Sequence, residues 1–115
     1  MKILAVTACP TGIAHTYMAA EALEEAAKKK GYDIKVETRG SVGVENELTD
    51  AEIKEADAII LACDTAVPME RFEGKKLLNV SVSEAIKNAD DLINRALNAN
   101  VYKPSVKTQE DIKSP

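Results

Sequence analysis

The sequence predicts an α/β fold built on an open parallel sheet with helices on both faces. Two nearly continuous apolar runs, ILAVTA at residues 3–8 and DAIILA at residues 57–62, have the length and character of strands buried on both faces. Strand and helix patterns alternate from the first run to residue 99. Such alternation is typical of parallel strands joined by right-handed helical crossovers.

The first helix is predicted over residues 13–30, directly after the first strand. Gly31 supplies its stop signal. The face that we expect to be buried consists of small or aliphatic side chains, whereas the charged residues lie elsewhere on the helix. The buried positions are Ala19, Ala22, Leu23, Ala26 and Ala27.

A second strand is predicted at residues 33–40, DIKVETRG. Ile34 and Val36 alternate there with charged neighbours, which indicates a position nearer the edge of the sheet. Gly40 and Gly43 then loosen the chain.

The next helix has a recognisable start signal. Thr49 and Glu52 have the spacing of a capping box, which predicts a short helix over residues 51–56. The third strand, DAIILA, follows it and ends at Cys63 and Asp64.

The last strand and helix complete the alternation. We predict a strand at residues 76–80, KLLNV, and one helix in the segment 81–99, capped by Ser81 or Ser83. The apolar positions that recur at helical spacing are Ile86, Ala89, Ile93 and Ala96. Residues 1–99 are therefore predicted to form one domain, and the polar, non-periodic residues 100–115 to form a linker or tail.

Composition narrows the functional classes. The 115 residues suit one core, and 45% of them are hydrophobic and 30% charged, as in an ordinary globular domain. A net charge of -4 and an aromatic content of 3% disfavour nucleic acid as a partner. No apolar run approaches the roughly 20 residues that span a bilayer, and the N-terminus lacks a signal peptide's longer apolar region. The sequence predicts a cytoplasmic protein whose two cysteines are free thiols.

Cys9 is the strongest candidate for chemistry. It follows a predicted strand and precedes a short glycine-containing loop and a helix, so that backbone N–H groups and the helix dipole favour an anion there. The same environment lowers a thiol pKa and yields a nucleophilic thiolate. Thr11 and Thr16 add hydroxyl donors, and His15 adds a charge that depends on protonation. From spacing alone, a small hydrophobic thiol at a strand end is an equally good interpretation.

Familiar phosphate and redox motifs are absent from this stretch. The loop lacks the Gly-Lys-Ser/Thr ending of a nucleotide-binding P-loop and the three glycines of a dinucleotide fingerprint. The chain also lacks a Cys-x-x-Cys pair, which disfavours a redox role.

The stretch CPTGIAHTYMAAEAL resembles the active-site signature of fructose-type enzyme IIB domains of the bacterial phosphoenolpyruvate-dependent sugar phosphotransferase system (PTS). The stretches VETRGSVGVENELT, DAIILACD and RFEGKKL agree with the same family. The resemblance covers roughly residues 1–99 in order, which makes it far more specific than one short pattern.

The resemblance implies a phosphotransferase in which Cys9 carries the phosphoryl group. A phosphohistidine on a IIA domain donates to this cysteine, and the phosphocysteine donates to a sugar, expected to be fructose, held by the membrane-embedded IIC domain. No metal or other cofactor takes part, and the protein meets the inner face of the membrane through IIC. The implied sheet has four parallel strands in the order 2-1-3-4. The residues that shape the phosphate pocket are Pro10, Thr11, Gly12, Ile13, Ala14, His15 and Thr16.

Two rival functions remain open. A low-molecular-weight-phosphatase-like enzyme would place an arginine where this chain has His15, and would need an acid such as Asp64 for the leaving group. A regulatory module that signals through its phosphorylation state would use the same phosphocysteine.

Other residues near the predicted site have open roles. His15 is interpreted as a loop ligand or partner contact, because the family places the phosphate on cysteine. The alternatives are that His15 is itself the phosphorylated residue or is exposed on the first helical turn. Arg71 and Phe72 are predicted to pack and solvate their loop, with a donor contact as the alternative. Because the implied order places the first and third strands side by side, oxidation is predicted to be able to join Cys9 and Cys63.

Overall fold

The computed structural model describes residues 2–9, 13–40, 43–64 and 70–101, and these residues form an α/β fold around one sheet. The sheet contains five strands in the spatial order β3-β2-β1-β4-β5. The four longer strands are parallel and have the predicted order, which places β1 between β2 and β4. The strands are β1 (Lys2–Ala8), β2 (Asp33–Gly40), β3 (Gly43–Glu45), β4 (Ala58–Cys63) and β5 (Leu77–Val80).

The fifth strand, β3, was not predicted. It pairs antiparallel with β2, with Gly43 opposite Gly40 and Glu45 opposite Thr38. All three residues of β3 are exposed, so the strand has no buried face to produce an alternating apolar pattern. The sheet is therefore mixed at this edge and not purely parallel.

Helices cover both faces of the sheet, as predicted. Three lie on one face: α1 (Ile13–Lys29), α3 (Val82–Lys87) and α4 (Ala89–Leu97). The other face is covered by α2 (Asp50–Glu55) and by a short 3-10 helix (Glu70–Phe72). The alternation of β1 divides its side chains between two core clusters, with Ile3 on the α1 side and Leu4 on the α2 side.

The segment 81–99, predicted to form one helix, forms two helices. Asn88 lies between α3 and α4 with φ −128° and ψ 38°, which is outside the helical region. The apolar spacing continues across this break because α3 and α4 pack on the same side of the sheet, and the pattern therefore concealed it. The predicted cap is confirmed at Ser81, whose hydroxyl accepts a hydrogen bond from the Glu84 amide at 3.2 Å.

The capping box before α2 is confirmed. The Thr49 hydroxyl accepts from the Glu52 amide at 3.1 Å, and the Glu52 carboxylate accepts from the Thr49 amide at 2.9 Å. Lys35 on β2 donates to the same carboxylate at 2.8 Å. The hydrogen bond from Lys35, with those from Thr49, lowers the pKa of Glu52 to about 2.

We expect Glu52 to make stability depend on pH under acidic conditions. Because the folded pKa lies below the ordinary 4.5, the stabilisation is fully present above that value and is lost as pH falls towards 2. The variant Glu52→Gln should therefore lose stability at pH 6 and lose much less at pH 3, measured as the urea midpoint. Glu55→Gln, on the same helix, is the control for charge, and an equal loss at both pH values for Glu52→Gln would contradict the expectation.

The start of the predicted tail lies against the edge strand β5. The Leu77 amide donates to the Asn100 carbonyl at 3.1 Å, and Val101 forms an antiparallel bridge with Lys76. The rest of the tail lies outside the described residues. Within the described ranges, no helix combines the length and apolar character needed to cross a membrane.

Candidate functional site

Cys9 lies where the direction of strand addition reverses. From β1 the chain goes to β2 on one side, whereas β4 on the other side leads to β5. Ala8, the last residue of β1, lies opposite Cys63 of β4 and opposite Arg39 of β2. In open α/β sheets, ligands bind outside the carboxyl ends of the strands at such a reversal. Cys9 is the first residue beyond this row.

The thiol of Cys9 belongs to the α1 side of the sheet. Its side chain is partly buried and packs against the cluster that contains Ile3 and Ala5, as the alternation of β1 requires. Helix α1 starts at Ile13, four positions later. The positive end of a helix dipole is therefore close in sequence to the thiol, on the face to which the thiol belongs.

The predicted phosphate-binding residues are described only in part. Ile13 is the first residue of α1, Ala14 and His15 are exposed on its first turn, and Thr16 is 2% exposed. His15 thus has the exposed helical position that was one of its predicted alternatives. The predicted residues Pro10, Thr11 and Gly12 lie outside the described residues.

Buried hydroxyl groups line the sheet below the start of α1. Thr7 lies opposite Thr38 on β2, and both side chains are buried. Thr38 Oγ1 donates to Glu45 Oε1 at 3.5 Å, and the Tyr17 hydroxyl of α1 donates to the same carboxylate oxygen. Among the described residues, the Thr7 hydroxyl has no hydrogen-bond partner. Sequence analysis missed this polar layer because Thr7 stands within an apolar run.

A buried carboxylate, that of Glu37 on β2, forms a hydrogen-bonded cluster on the α2 side of the sheet. The Glu37 side chain is fully buried and accepts hydrogen bonds from Arg71 Nη2 at 2.6 Å, Arg39 Nε at 2.7 Å and the Leu48 amide at 2.9 Å. The Arg71 guanidinium also lies 4.7 Å from the centroid of the Phe72 ring. This cluster joins β2, the 3-10 helix and the segment that precedes α2.

The hydrogen bonds to the Glu37 carboxylate determine its charge. Burial by itself raises the pKa of this carboxyl group, but the hydrogen bonds from Arg71, the Leu48 amide and Arg39 outweigh burial and hold the pKa below its ordinary value. Glu37 is therefore ionised between two guanidinium groups. Arg71 and Phe72 were predicted to pack and solvate their loop, and they do more than this. Arg71 is a main partner of the Glu37 carboxylate, and Phe72 is fully buried in the core.

Cys63 is a partly buried thiol on the α2 side. It packs against the cluster that contains Leu4 and Ile59, and its thiol donates to the Val6 carbonyl at 3.4 Å. Burial, opposed in part by the nearby Arg39, raises the pKa of Cys63 to about 12. The thiolate form of Cys63 is therefore scarce at neutral pH.

The Asp64 side chain accepts a hydrogen bond from the backbone. Its backbone amide donates to the Ala8 carbonyl at 2.8 Å, and its Oδ1 accepts from the Val82 amide at 3.1 Å. The side chain thus satisfies a backbone N–H at the start of α3. This arrangement favours the strand-end hydrogen bond over the role of a general acid.

We expect the two cysteines to differ sharply in reactivity and to resist cross-linking. Cys9 and Cys63 pack against clusters on opposite faces of the sheet, which disfavours the earlier prediction of a disulfide. Treatment of the folded chain with iodoacetamide should modify Cys9 first, with Cys63 reacting only after urea is added. Intact mass spectrometry counts the alkylated sites. The expectation would be contradicted if mild oxidation made both cysteines unreactive towards iodoacetamide and reduction restored both.

Across the described ranges, no group of three or more His, Cys, Asp and Glu side chains is arranged to hold a metal ion.

Comparison with known proteins gives one consistent family. The family described as "PTS system, Lactose/Cellobiose specific IIB subunit" matches residues 4–95. The "PTS system fructose-like EIIB component 2" of Escherichia coli K12 is 56% identical over 95 residues, which cover 82% of this chain and 90% of that protein. The "PTS system fructose-specific EIIABC component" of Bacillus subtilis is 57% identical over 106 residues, and these cover 90% of this chain. The match spans only 17% of the length of the Bacillus protein.

Solved structures agree with the sequence relatives. A crystal structure of a domain from the fructose-specific IIABC component of Borrelia burgdorferi has a TM-score of 0.86 and 53% identity, and covers 88% of this chain and 97% of that one. A domain of fruA from Bacillus subtilis has a TM-score of 0.82 and 55% identity, and covers 89% of this chain and 100% of that one.

Proposed function

The chain belongs to the PTS IIB family, and from that premise we propose that it carries a phosphoryl group on Cys9 between a phosphorylated IIA domain and a sugar held by a IIC domain. In the first step, the Cys9 thiolate attacks the phosphorus of a phosphohistidine, the S–P bond forms, and the P–N bond breaks. In the second step, a sugar hydroxyl attacks the same phosphorus, the O–P bond forms, and the S–P bond breaks. The hydroxyl proton is given up to a base on the acceptor side or to water.

The position of Cys9 is the observation that supports this proposal most directly. The thiol lies at the reversal point of the sheet, four positions before the start of α1, and on the face that α1 covers. This position favours an anionic thiolate and, after transfer, an anionic phosphoryl group. Cys63 lacks these features, because it packs on the other face and its pKa is raised to about 12.

The pocket for the phosphoryl oxygens is proposed to be the segment from Pro10 to Thr16. We propose that backbone N–H groups of residues 11–16 donate to the phosphoryl oxygens, and that Gly12 is present because a glycine lets the backbone approach the phosphoryl group closely. No metal or other cofactor is required, because a thiolate and aligned donors supply the nucleophile and the charge stabilisation. A loop without arginine holds the phosphoryl group loosely, which suits a relay that must pass it on.

The partners and the place of action follow from the family. The Bacillus relative is named an EIIABC component, and the Escherichia relative is named a fructose-like EIIB component. We assign a IIA domain as donor, a membrane-embedded IIC domain as acceptor, and fructose as the sugar. The chain then works in the cytoplasm at the inner face of the membrane, with residues 1–99 as the IIB domain and 100–115 as a linker.

The phosphatase alternative has less support. Arg39 and Arg71 are both bound to Glu37, and Asp64 Oδ1 accepts from the Val82 amide. Neither an arginine fork for a bound phosphate nor a leaving-group acid is therefore ready in the described residues.

Phosphoryl transfer tests the proposal in two stages. The chain is incubated with phosphoenolpyruvate, the general phosphotransfer proteins and a fructose IIA domain, and intact mass spectrometry measures the gain of one phosphoryl group. Membrane vesicles that contain the IIC domain are then added with fructose or with a sugar that IIC does not transport. We expect the label to appear in the first stage and to be lost only with fructose. A label that drains without any acceptor sugar would favour a phosphatase, and one that never drains would favour a regulatory module.

A further inference from the structure

Helix α1 exposes two large apolar side chains directly after the site. Tyr17 is 44% exposed and Met18 is 52% exposed. Ala14, one turn earlier on the same side, is exposed as well. We call Tyr17 and Met18 the α1 patch.

The apolar exposure is confined to the end of α1 that is nearest Cys9. Farther along the helix, the exposed positions are charged: Glu21, Glu24, Glu25, Lys28 and Lys29. A helix that only had to remain soluble would carry polar residues on its whole outer face. Tyrosine and methionine are also enriched in protein interfaces. The α1 patch therefore has the composition of a contact surface beside the reactive residue.

Tyr17 is held in place before any partner arrives. Its hydroxyl donates to the Glu45 carboxylate of β3, and Thr38 Oγ1 donates to the same oxygen at 3.5 Å. The hydrogen bond to Glu45 raises the pKa of Tyr17 above its ordinary value of 10.0. A side chain fixed in this way loses less conformational entropy on binding.

Exposed acidic residues, here called the acidic rim, flank the α1 patch on two sides. Glu21, Glu24 and Glu25 follow it along the helix, and Glu45 and Glu47 lie on the β3 side, all of them exposed. Complementary interfaces place opposite charges against each other. The occupant should therefore present an apolar centre with lysine and arginine around it.

We propose that the α1 patch and its acidic rim form the docking surface for the basic cytoplasmic loops of the membrane-embedded IIC acceptor, an assignment that rests on the proposed function. Of the two proposed partners, the membrane component fits the rim, because short cytoplasmic loops of membrane proteins carry an excess of lysine and arginine. The patch begins one turn into α1, the helix that starts four positions after the proposed phosphoryl carrier Cys9.

Two pairs of variants test the docking surface. Met18→Glu places a charge in the patch, and Glu21→Lys reverses the rim. Val101→Glu and Glu73→Lys are the matched controls, because Val101 is an exposed apolar residue beside β5 and Glu73 lies near Lys75 at the amino end of β4. Sugar phosphorylation is measured in vesicles that contain IIC, with saturating donor and a varied concentration of the chain.

We expect Met18→Glu and Glu21→Lys to raise the KM for the chain by about tenfold and about threefold, with kcat little changed. The controls should behave like the native chain. Added salt should raise the native KM and have less effect on Glu21→Lys. The rate of phosphorylation by the IIA donor, measured separately by mass spectrometry, should stay within about twofold of native for all four variants. The urea midpoint of each variant is measured, and Met18→Gln replaces Met18→Glu if that variant is unfolded.

Three outcomes would overturn the assignment. Slower phosphorylation by the donor, with an unchanged KM for the chain in the vesicle assay, would make the α1 patch a donor surface. Equal behaviour of Met18→Glu and Val101→Glu would show that the patch is not a docking surface. A native chain that never accepts phosphate would overturn the proposed function, and this inference with it.

Discussion

Replacement of Cys9 by serine is expected to abolish phosphoryl transfer. The hydroxyl of serine has almost no ionised form at neutral pH, whereas a thiolate at a helix N-terminus is a strong nucleophile. We expect the label on the chain and the formation of sugar phosphate to fall by about a thousandfold or more. Intact mass spectrometry and sugar phosphorylation in vesicles measure the two effects. The urea midpoint should change little, because the substituted side chain is similar in size and only partly buried.

Cys63→Ser is the matched control for this experiment. Cys63 lies opposite Ala8 in the sheet, one residue from the site, but its side chain belongs to the other face. The variant should keep the phosphoryl label. A label that survives in Cys9→Ser and disappears in a further His15 variant would refute the assignment of Cys9 and move the covalent site to His15.

Replacement of Glu37 by glutamine is expected to give the largest loss of stability among the charged residues discussed. The change keeps the size of the side chain but leaves two mostly buried guanidinium groups, on Arg39 and Arg71, without a counter-charge. Removal of one partner from a buried ion pair typically costs about 3 kcal/mol or more. The unfolding free energy from urea titration should fall by about that amount at pH 7.

The effect of Glu37→Gln should diminish in acid. The folded pKa of Glu37 is below its ordinary value of 4.5. The stabilisation is therefore present above that value and is lost as pH falls through the folded pKa. Glu84→Gln is the control, since Glu84 pairs with Arg95 at 3.3 Å where both side chains are about half exposed, and such pairs contribute about 0.5 kcal/mol or less. An equal loss for the two variants would show that the Glu37 cluster is not a structural brace.

The parts of the fold that follow from local pattern could be predicted from the sequence. The apolar runs of β1 and β4 indicate strands buried on both faces, and both are so buried. The caps at Thr49 and Ser81 depend on residues three positions apart, so the sequence contains the whole signal. Cys9 was predicted as the reactive residue from its place between a strand and a helix, together with the family resemblance.

Features that depend on distant partners could not be predicted. Glu37 stands at a polar position of an alternating strand, which is typical of a solvated face, and only the packing of Leu48 and Arg71 over it reveals a buried carboxylate. Arg71 is 34 positions away in the sequence. The break at Asn88 was hidden for a related reason, because apolar spacing reports which side is buried and not whether the backbone is continuous.

The two margins of the sheet bear on how this domain behaves among copies of itself. On one side the sheet ends in the three exposed residues of β3, and on the other the amide of Leu77 is already bonded to Asn100. Long unpaired margins recruit strands from neighbouring molecules and lead to aggregation. The short strand β3 pairs with the last three residues of β2, and the other margin is partly covered, so less unpaired edge is open to a strand from a neighbouring copy.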